Sequence, residues 1–220
     1  MSADDGVELA IFAKAPTPGR VKTRLAPRLG DDGAAALYAA FLRDVVAKAA
    51  GRLPYRLWAA DGPDLEGLEA LGLGGLPPRV QLGGTLGRRM AEALDAGLAA
   101  APRSLLVGSD LPTLPASYLE RARDALARAD VVLGPAADGG YYLIGTRTRG
   151  LDLEGPIRWS SPFALRDTVR ALRAQGRSVT LVGPWYDVDR PEDLRLLDLH
   201  LTLDPGAAPR TARERRRSPF

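Results

Sequence analysis

The chain has 220 residues, 45% of them hydrophobic, with no cysteine and a single histidine, His200. That excludes disulfides, thiolate nucleophiles and zinc-thiolate centres, and it leaves no material for a histidine metal cluster or a Ser-His-Asp triad. The formal charge of +3 comes from the end of the chain, where Arg210, Arg213, Arg215, Arg216 and Arg217 face only Glu214, so the body is slightly acidic and gives no warrant for a nucleic-acid partner.

One domain over residues 1–204 accommodates the apolar content, followed by a basic tail over 205–220 whose Pro/Ala/Arg-rich composition predicts disorder. The amino-terminal MSADDG has neither the cationic start nor the apolar core of a signal peptide. No apolar run approaches the roughly 18 residues of a spanning helix. The expectation is a cytoplasmic protein with no membrane partner, its oligomeric state open.

In chain order, Val7–Ala13 predicts a first strand, followed at Phe12–Pro27 by FAKAPTPGRVKTRLAP. This Pro/Gly-broken loop carries Lys14, Arg20, Lys22 and Arg24 with no carboxylate among them. Four cations that repel one another at the carboxyl end of a strand suit an anion, phosphate above all; a solvated basic loop is the alternative. A helix is predicted over about Asp31–Ala50, capped by Asp31 or Asp32, with Leu37, Phe41, Val45 and Val46 on one face. Strands are predicted at Tyr55–Ala60 and Val80–Leu82, with a short helix around Leu65, Leu68 and Leu71 between them.

Gln81–Met90, QLGGTLGRRM, leads into a helix over Thr85–Ala101 with Thr85 as its cap. Arg88 and Arg89 fall in its first turn, where the helix dipole disfavours positive charge. If an anion lies there, Gly83 and Gly84 permit close backbone approach and one arginine can face it; otherwise both merely solubilise the helix. The strand Ser104–Gly108 ends on Asp110 in GSDLPTL, a position suited to a divalent-ion ligand or a helix cap. A Pro115–Arg128 helix follows.

Strands at Asp130–Pro135 and Tyr141–Thr146 then follow one another with no room for a helix, so the βα alternation breaks. Between them Asp138, Gly139 and Gly140 form a turn, in which Asp138 either accepts a hydrogen bond from an acceptor hydroxyl or closes the turn. Tyr141, Tyr142 and Trp159 either wall a pocket or fill core. After a strand at Ser178–Val182, WYDVDRPEDL sets Asp187 and Asp189 on opposite faces of extended backbone before a Pro-led helix. Asp189 is the choice for a second metal ligand, with helix capping as its competing role. The pattern as a whole predicts an α/β fold: a mostly parallel sheet flanked by helices, with a late antiparallel strand.

The segments AKAPTPGRVKTRLAP, QLGGTLGRRM, GSDLPTL, ADGGYYLIG and DVDRPEDL, in this order over roughly Leu9–Leu197, resemble the bacterial radical-SAM/selenodomain-associated transferases. These are also described as arsenosugar-pathway glycosyltransferases, within the GT-A-like nucleotide-diphosphosugar transferase superfamily. The chain is also similar to phospholactate and molybdenum-cofactor guanylyltransferases. The resemblance implies a single Rossmann-like GT-A domain, with a nucleoside triphosphate or nucleotide-sugar and a small-molecule acceptor as partners. It implies that Lys14, Arg20, Lys22 and Arg24 hold nucleotide phosphates, with Ala13 and Gly19 in the same loop. Gln81, Gly83, Gly84, Thr85 and Arg88 would lie by the nucleotide, and Asp110 with Asp189 would bind Mg²⁺ or Mn²⁺. Asp138, Gly139, Gly140, Tyr141 and Trp159 would face the acceptor. A single aspartate at Asp110, where many metal-dependent glycosyltransferases carry Asp-x-Asp, fits nucleotidyl transfer to a phosphorylated or phosphonate acceptor. Glycosyl transfer and non-catalytic nucleotide binding are the alternatives.

Overall fold

In the computed structural model, which describes residues 6–217, the first apolar run forms strand β1 (Val7–Ala13). Its side chains alternate between two faces. Val7, Leu9, Ile11 and Ala13 join a core with Leu42, Val45 and Val46 of α1 (Ala26–Ala49). Ala10 joins a second core with Met90, Ala93 and Leu94 of α3 (Leu86–Gly97). Covering both faces is what a parallel sheet requires, because its strands carry apolar side chains on each side.

The remaining elements are β2 (Tyr55–Ala59), α2 (Gly62–Ala70), β3 (Leu76–Val80), β4 (Arg103–Gly108), α4 (Ala116–Ala125), β5 (Val131–Pro135), β6 (Tyr141–Thr146), α5 (Ala164–Ala174), β7 (Val179–Leu181), α6 (Pro191–Leu203) and α7 (Pro209–Arg217). The seven-stranded sheet has the order β3-β2-β1-β4-β6-β5-β7. β1 pairs in parallel with β2 and β4, while β6 runs antiparallel to both β4 and β5. The chain leaves β1 toward β2 on one side, and β4 lies on the other. The β1 and β4 carboxyl ends therefore flank a crevice of the kind where open α/β sheets bind ligands.

Three elements differ from expectation. The strand sought at Val80–Leu82 lies earlier, at Leu76–Val80, and includes Pro77 and Pro78. It is an edge strand, the one place in a sheet where proline's missing donor is tolerated. The first helix begins at Ala26 instead of Asp31, and Gly30 (φ 70°, ψ 166°) interrupts it before the main run. The third difference is the tail. Pro209–Arg217 is helical and packed rather than disordered, with Ala208 and Ala212 buried beside Phe41, Leu197 and Leu201. Asp44 of α1 is buried and receives the Thr211 N–H (2.8 Å) and the Arg210 N–H (3.3 Å), capping α7 from another helix. Arg215 binds both carboxylate oxygens of Asp198 on α6, at 2.8 and 2.7 Å. Two partner carboxylates and two small apolar residues offset what bulk composition reads as a solvated tail. Residues 218–220 lie outside the described part.

Candidate active site

The cationic loop leaves β1 at Ala13 and is anchored through its backbone. The Lys14 N–H donates to the Tyr38 hydroxyl (3.0 Å), which shares a 2.7 Å hydrogen bond with Ser109 Oγ at the end of β4. The Ala15 N–H donates to Asp64 Oδ1 (3.0 Å) on α2. Tyr38, buried in α1, thus fastens the β1 loop to the β4 loop across the crevice. Its burial, with Asp110 nearby, pushes the phenol well above its ordinary range, so it remains a neutral hydroxyl.

Carboxylates remote in sequence supply the compensation that the loop itself lacks. Arg20 pairs with Asp61 at 2.7 Å. Asp61 also caps α2 by accepting the Asp64 N–H, and these two contacts hold its carboxyl below the usual range. Lys22, whose side chain is only 4% exposed, lies between Asp189 Oδ1 (2.6 Å) and Asp110 Oδ1 (2.7 Å). Burial opposes its charge, but the two carboxylates outweigh burial and hold the ammonium above its ordinary range. Lys14 and Arg24 remain exposed.

Asp110 and Asp189, expected as metal ligands from positions 79 residues apart, therefore do converge. The Val188 N–H donates to Asp110 O (3.0 Å), bringing the Asp187–Asp189 segment to the β4 end. α6 is capped by Asp193, which accepts the Asp189 and Arg190 N–H groups at 2.9 and 2.7 Å. Asp189 thus does not act as the cap, and its carboxylate faces Lys22. Among the described residues no group of three or more His, Cys, Asp or Glu is arranged to hold an ion. Two oxygen-donor carboxylates that already hold a cation between them nevertheless fit Mg²⁺ or Mn²⁺, which complete their shell with phosphate and water.

A cavity of about 590 Å³ opens over this arrangement, lined by Ala13, Lys14, Arg20, Lys22, Arg24, Gln81, Arg89, Asp110 and Asp189 among others. Gln81 is buried and held at both ends: its amide donates to Trp58 O (3.0 Å) and its Oε1 accepts from Arg89 (3.1 Å). Of the paired arginines it is Arg89 that faces the cavity. Arg88, expected beside the nucleotide, is exposed and bound to Glu92 (3.1 Å) one turn along α3. Gly83, Gly84 and Thr85 stand at the rim and outside the lining. Thr85 caps α3 by accepting the Arg88 N–H (3.2 Å) and donates to Glu154 (3.2 Å). Gly19 (φ 73°) is likewise outside the lining and serves the turn in which the Arg20 N–H donates to Thr17 O.

A second cavity, about 260 Å³, adjoins the first at Asp110, Gly108 and Leu86. Of the residues expected at an acceptor, Asp138, Gly140, Tyr141 and Trp159 line it. Asp138 closes its turn by accepting the Gly140 N–H (2.8 Å) and also lines the cavity. Tyr141 and Trp159 meet edge to face, with centroids 6.2 Å apart, and pack on the second core while walling the cavity. Gly139 is not in the wall. A Cβ there would lie 2.4 Å from Pro162 O, so the glycine permits close packing of the turn.

Asp187, for which the sequence suggests no role beside Asp189, lines this second cavity. Burial first, then Asp189, with Asp138 and Asp110 adding, pushes its carboxyl up to about 6. The alternation of residues 187 and 189 was the available signal: one faces each cavity.

Similarity to known proteins follows the same lines. The profile of a family described as "Uncharacterized protein conserved in bacteria (DUF2064)" matches residues 43–161, more than half of the chain. The chain belongs to this family. A crystal structure from Desulfovibrio desulfuricans G20, provisionally named a nucleotide-diphospho-sugar transferase, is 32% identical. It superposes with a TM-score of 0.88 over 99% of this chain and 95% of that one. The DUF2064 domain therefore has the nucleotide-diphospho-sugar transferase α/β fold. Two archaeal proteins named 2-phospho-L-lactate guanylyltransferase are also similar. That of Methanothermobacter thermautotrophicus is 28% identical over 183 residues, 81% of this chain and 79% of that protein. That of Methanopyrus kandleri is 40% identical over 95 residues, which span 40% of this chain and 46% of that relative. No described helix is long and apolar enough to cross a membrane.

Proposed function

We propose that this DUF2064 protein is an enzyme that transfers a nucleotidyl group from a nucleoside triphosphate to a small-molecule acceptor, assisted by Mg²⁺ or Mn²⁺. One observation carries the reading: a cavity ringed by Lys14, Arg20, Lys22, Arg24 and Arg89 meets a second cavity at Asp110. The guanylyltransferase names of the two archaeal relatives support a triphosphate donor. In this reaction an acceptor oxygen bonds to the α-phosphorus while the bond to the bridging oxygen breaks, and pyrophosphate leaves with that bond's electrons. The loop cations offset the charge that gathers on the leaving group, and the two cavities hold nucleophile and donor in line. A divalent ion bound at Asp110 and Asp189 would neutralise phosphate oxygens. A phosphate or phosphonate acceptor is already anionic and needs no general base.

A second reading, glycosyl transfer from a nucleotide-sugar, is favoured by the second cavity. Asp110, Asp138 and Asp187 line it, and no Lys, Arg or His does so among the described residues. That lining suits a hydroxyl acceptor better than a phosphate, and Asp187 or Asp138 could take the hydroxyl proton. Incubation with Mg²⁺, a panel of small-molecule acceptors (phosphorylated, phosphonate and hydroxyl-bearing) and panels of triphosphates and nucleotide-sugars separates the two. Pyrophosphate release is expected, whereas nucleoside diphosphate release would establish the second reading in its place. Asp110→Ala is expected to abolish Mg²⁺-dependent nucleotide binding in a thermal-shift assay, and unchanged binding would remove the metal assignment.

A further inference from the structure

Lys22 is set apart from the other cations of its loop. Lys14 and Arg24 are exposed and Arg20 is tied to α2, but the Lys22 ammonium is sequestered beneath the donor cavity. It lies 2.6 Å from Asp189 Oδ1 and 2.7 Å from Asp110 Oδ1, with the rings of Tyr38 and Phe41 about it, their centroids 6.0 and 5.9 Å away. Its backbone is left-handed (φ 48°), a conformation an L-residue adopts at some cost.

A divalent ion shared by Asp110 and Asp189 would need carboxylate oxygens at roughly 2.0–2.1 Å if it were Mg²⁺. The Nζ atom already occupies the space between these oxygens. A lysine ammonium and a dication cannot share it, sterically or electrostatically. The lysine stem is flexible, and the same cavity is where phosphates would enter. Once phosphate oxygens draw the ammonium upward, the two carboxylates are left facing one another without a counter-charge, and a dication becomes the favourable replacement.

We propose that Lys22 is an internal counter-ion that closes the metal site until the donor's phosphates draw it off, so that metal and nucleotide bind as a linked pair. The proposal rests on the nucleotide-donor reading above and adds an order to it. The free protein holds metal weakly because Lys22 competes for the same carboxylates. The nucleotide tightens the metal by removing that competitor, and by linkage the metal tightens the nucleotide by an equal factor.

The test is a titration of the full-length protein with Mn²⁺ alone, following free Mn²⁺ by electron paramagnetic resonance. Lys22→Met is expected to bind Mn²⁺ about tenfold or more tightly than the wild type, the equivalent of one charge-assisted contact removed. Lys22→Gln, checked by thermal melting, serves as a second variant that keeps a polar end. The gain should disappear when Asp110→Asn is added to either variant. Equal or weaker Mn²⁺ binding in both lysine variants would overturn the proposal, as would a gain that persists without Asp110 or an absence of binding throughout. Since no nucleotide is present, these outcomes are independent of the donor assay. A donor other than a nucleotide would show itself there, while the competition between lysine and metal would still be read here.

Discussion

Arg88 and Arg89 are adjacent in sequence, yet their side chains leave α3 in different directions, as the helical step of about 100° per residue requires. Arg88 reaches Glu92 across solvent, whereas Arg89 crosses to Gln81 and the larger, cation-lined cavity. Arg89→Ala is therefore expected to weaken nucleotide binding by about tenfold, the scale of one hydrogen bond from a charged donor. Arg88→Ala should leave it within about twofold, since an exposed i,i+4 pair contributes only a few tenths of a kcal/mol. Isothermal titration of both variants checks the pair. The QLGGTLGRRM segment makes it legible that an arginine stands at this helix start. Which of the two faces inward depends on where the Thr85 cap fixes the helical phase, and the competing Gln81 contact comes from tertiary structure. Lys22 teaches the same at longer range. Its charge could be read from the loop, but its partners Asp110 and Asp189 lie 88 and 167 residues away.

Among the elements, α7 depends most on its neighbours. Its first-turn N–H groups are met by Asp44 of α1, and its last turn is tied by Arg215 to Asp198 of α6. Deleting residues 205–220 would strand the buried Asp44 carboxylate. The unfolding free energy is expected to fall by about 3–5 kcal/mol, the typical cost of breaking a buried pair from one side. Asp44→Asn in the shortened chain should recover part of that loss, both being measured by urea denaturation. An Arg-rich run of low hydrophobicity gives no local sign of folding, because its stabilising groups belong to helices far upstream. Strands buried on both faces, such as β1 and β4, announce themselves by continuous apolar runs. β3 did not, since two prolines mask an edge strand, and α5 has Phe163 at its N-cap, with no side-chain cap to mark its start. The break in alternation before Tyr141 was legible because the five residues 136–140 cannot hold a crossover helix, and β6 is the antiparallel strand that results.

At the scale of the whole molecule, Lys48 joins three parts of the chain. Its ammonium donates to Ala207 O (2.8 Å) before α7 and to Pro112 O in the loop after β4, from its own seat on α1. Burial chiefly, with Arg210 adding and Asp44 opposing, lowers it from 10.5 to about 8. Between these two values the unfolded chain keeps a proton here that the folded chain releases, so stability rises with pH through that window. The full increment is on the order of 3 kcal/mol, and buried tyrosines whose hydroxyls are pushed upward, Tyr38 among them, reverse the trend above pH 10. Chemical denaturation of wild type and Lys48→Met between pH 7 and 10 should show the rise only in the former. The reversed strand β6 has a different kind of consequence. Because it brings the chain back beside β4, the turn at 136–140 and the segment through Trp159 stand at the same end of the sheet as the cationic loop, yet they belong to a separate stretch of sequence. The start of α3 and the 187–189 segment serve both chambers, but the rest of their walls comes from different passages of the chain, and the two meet at Asp110, Gly108 and Leu86. Substitutions along 136–142 and 157–164 can reshape the smaller chamber while leaving the cationic loop at 12–24 untouched, so the two can vary independently.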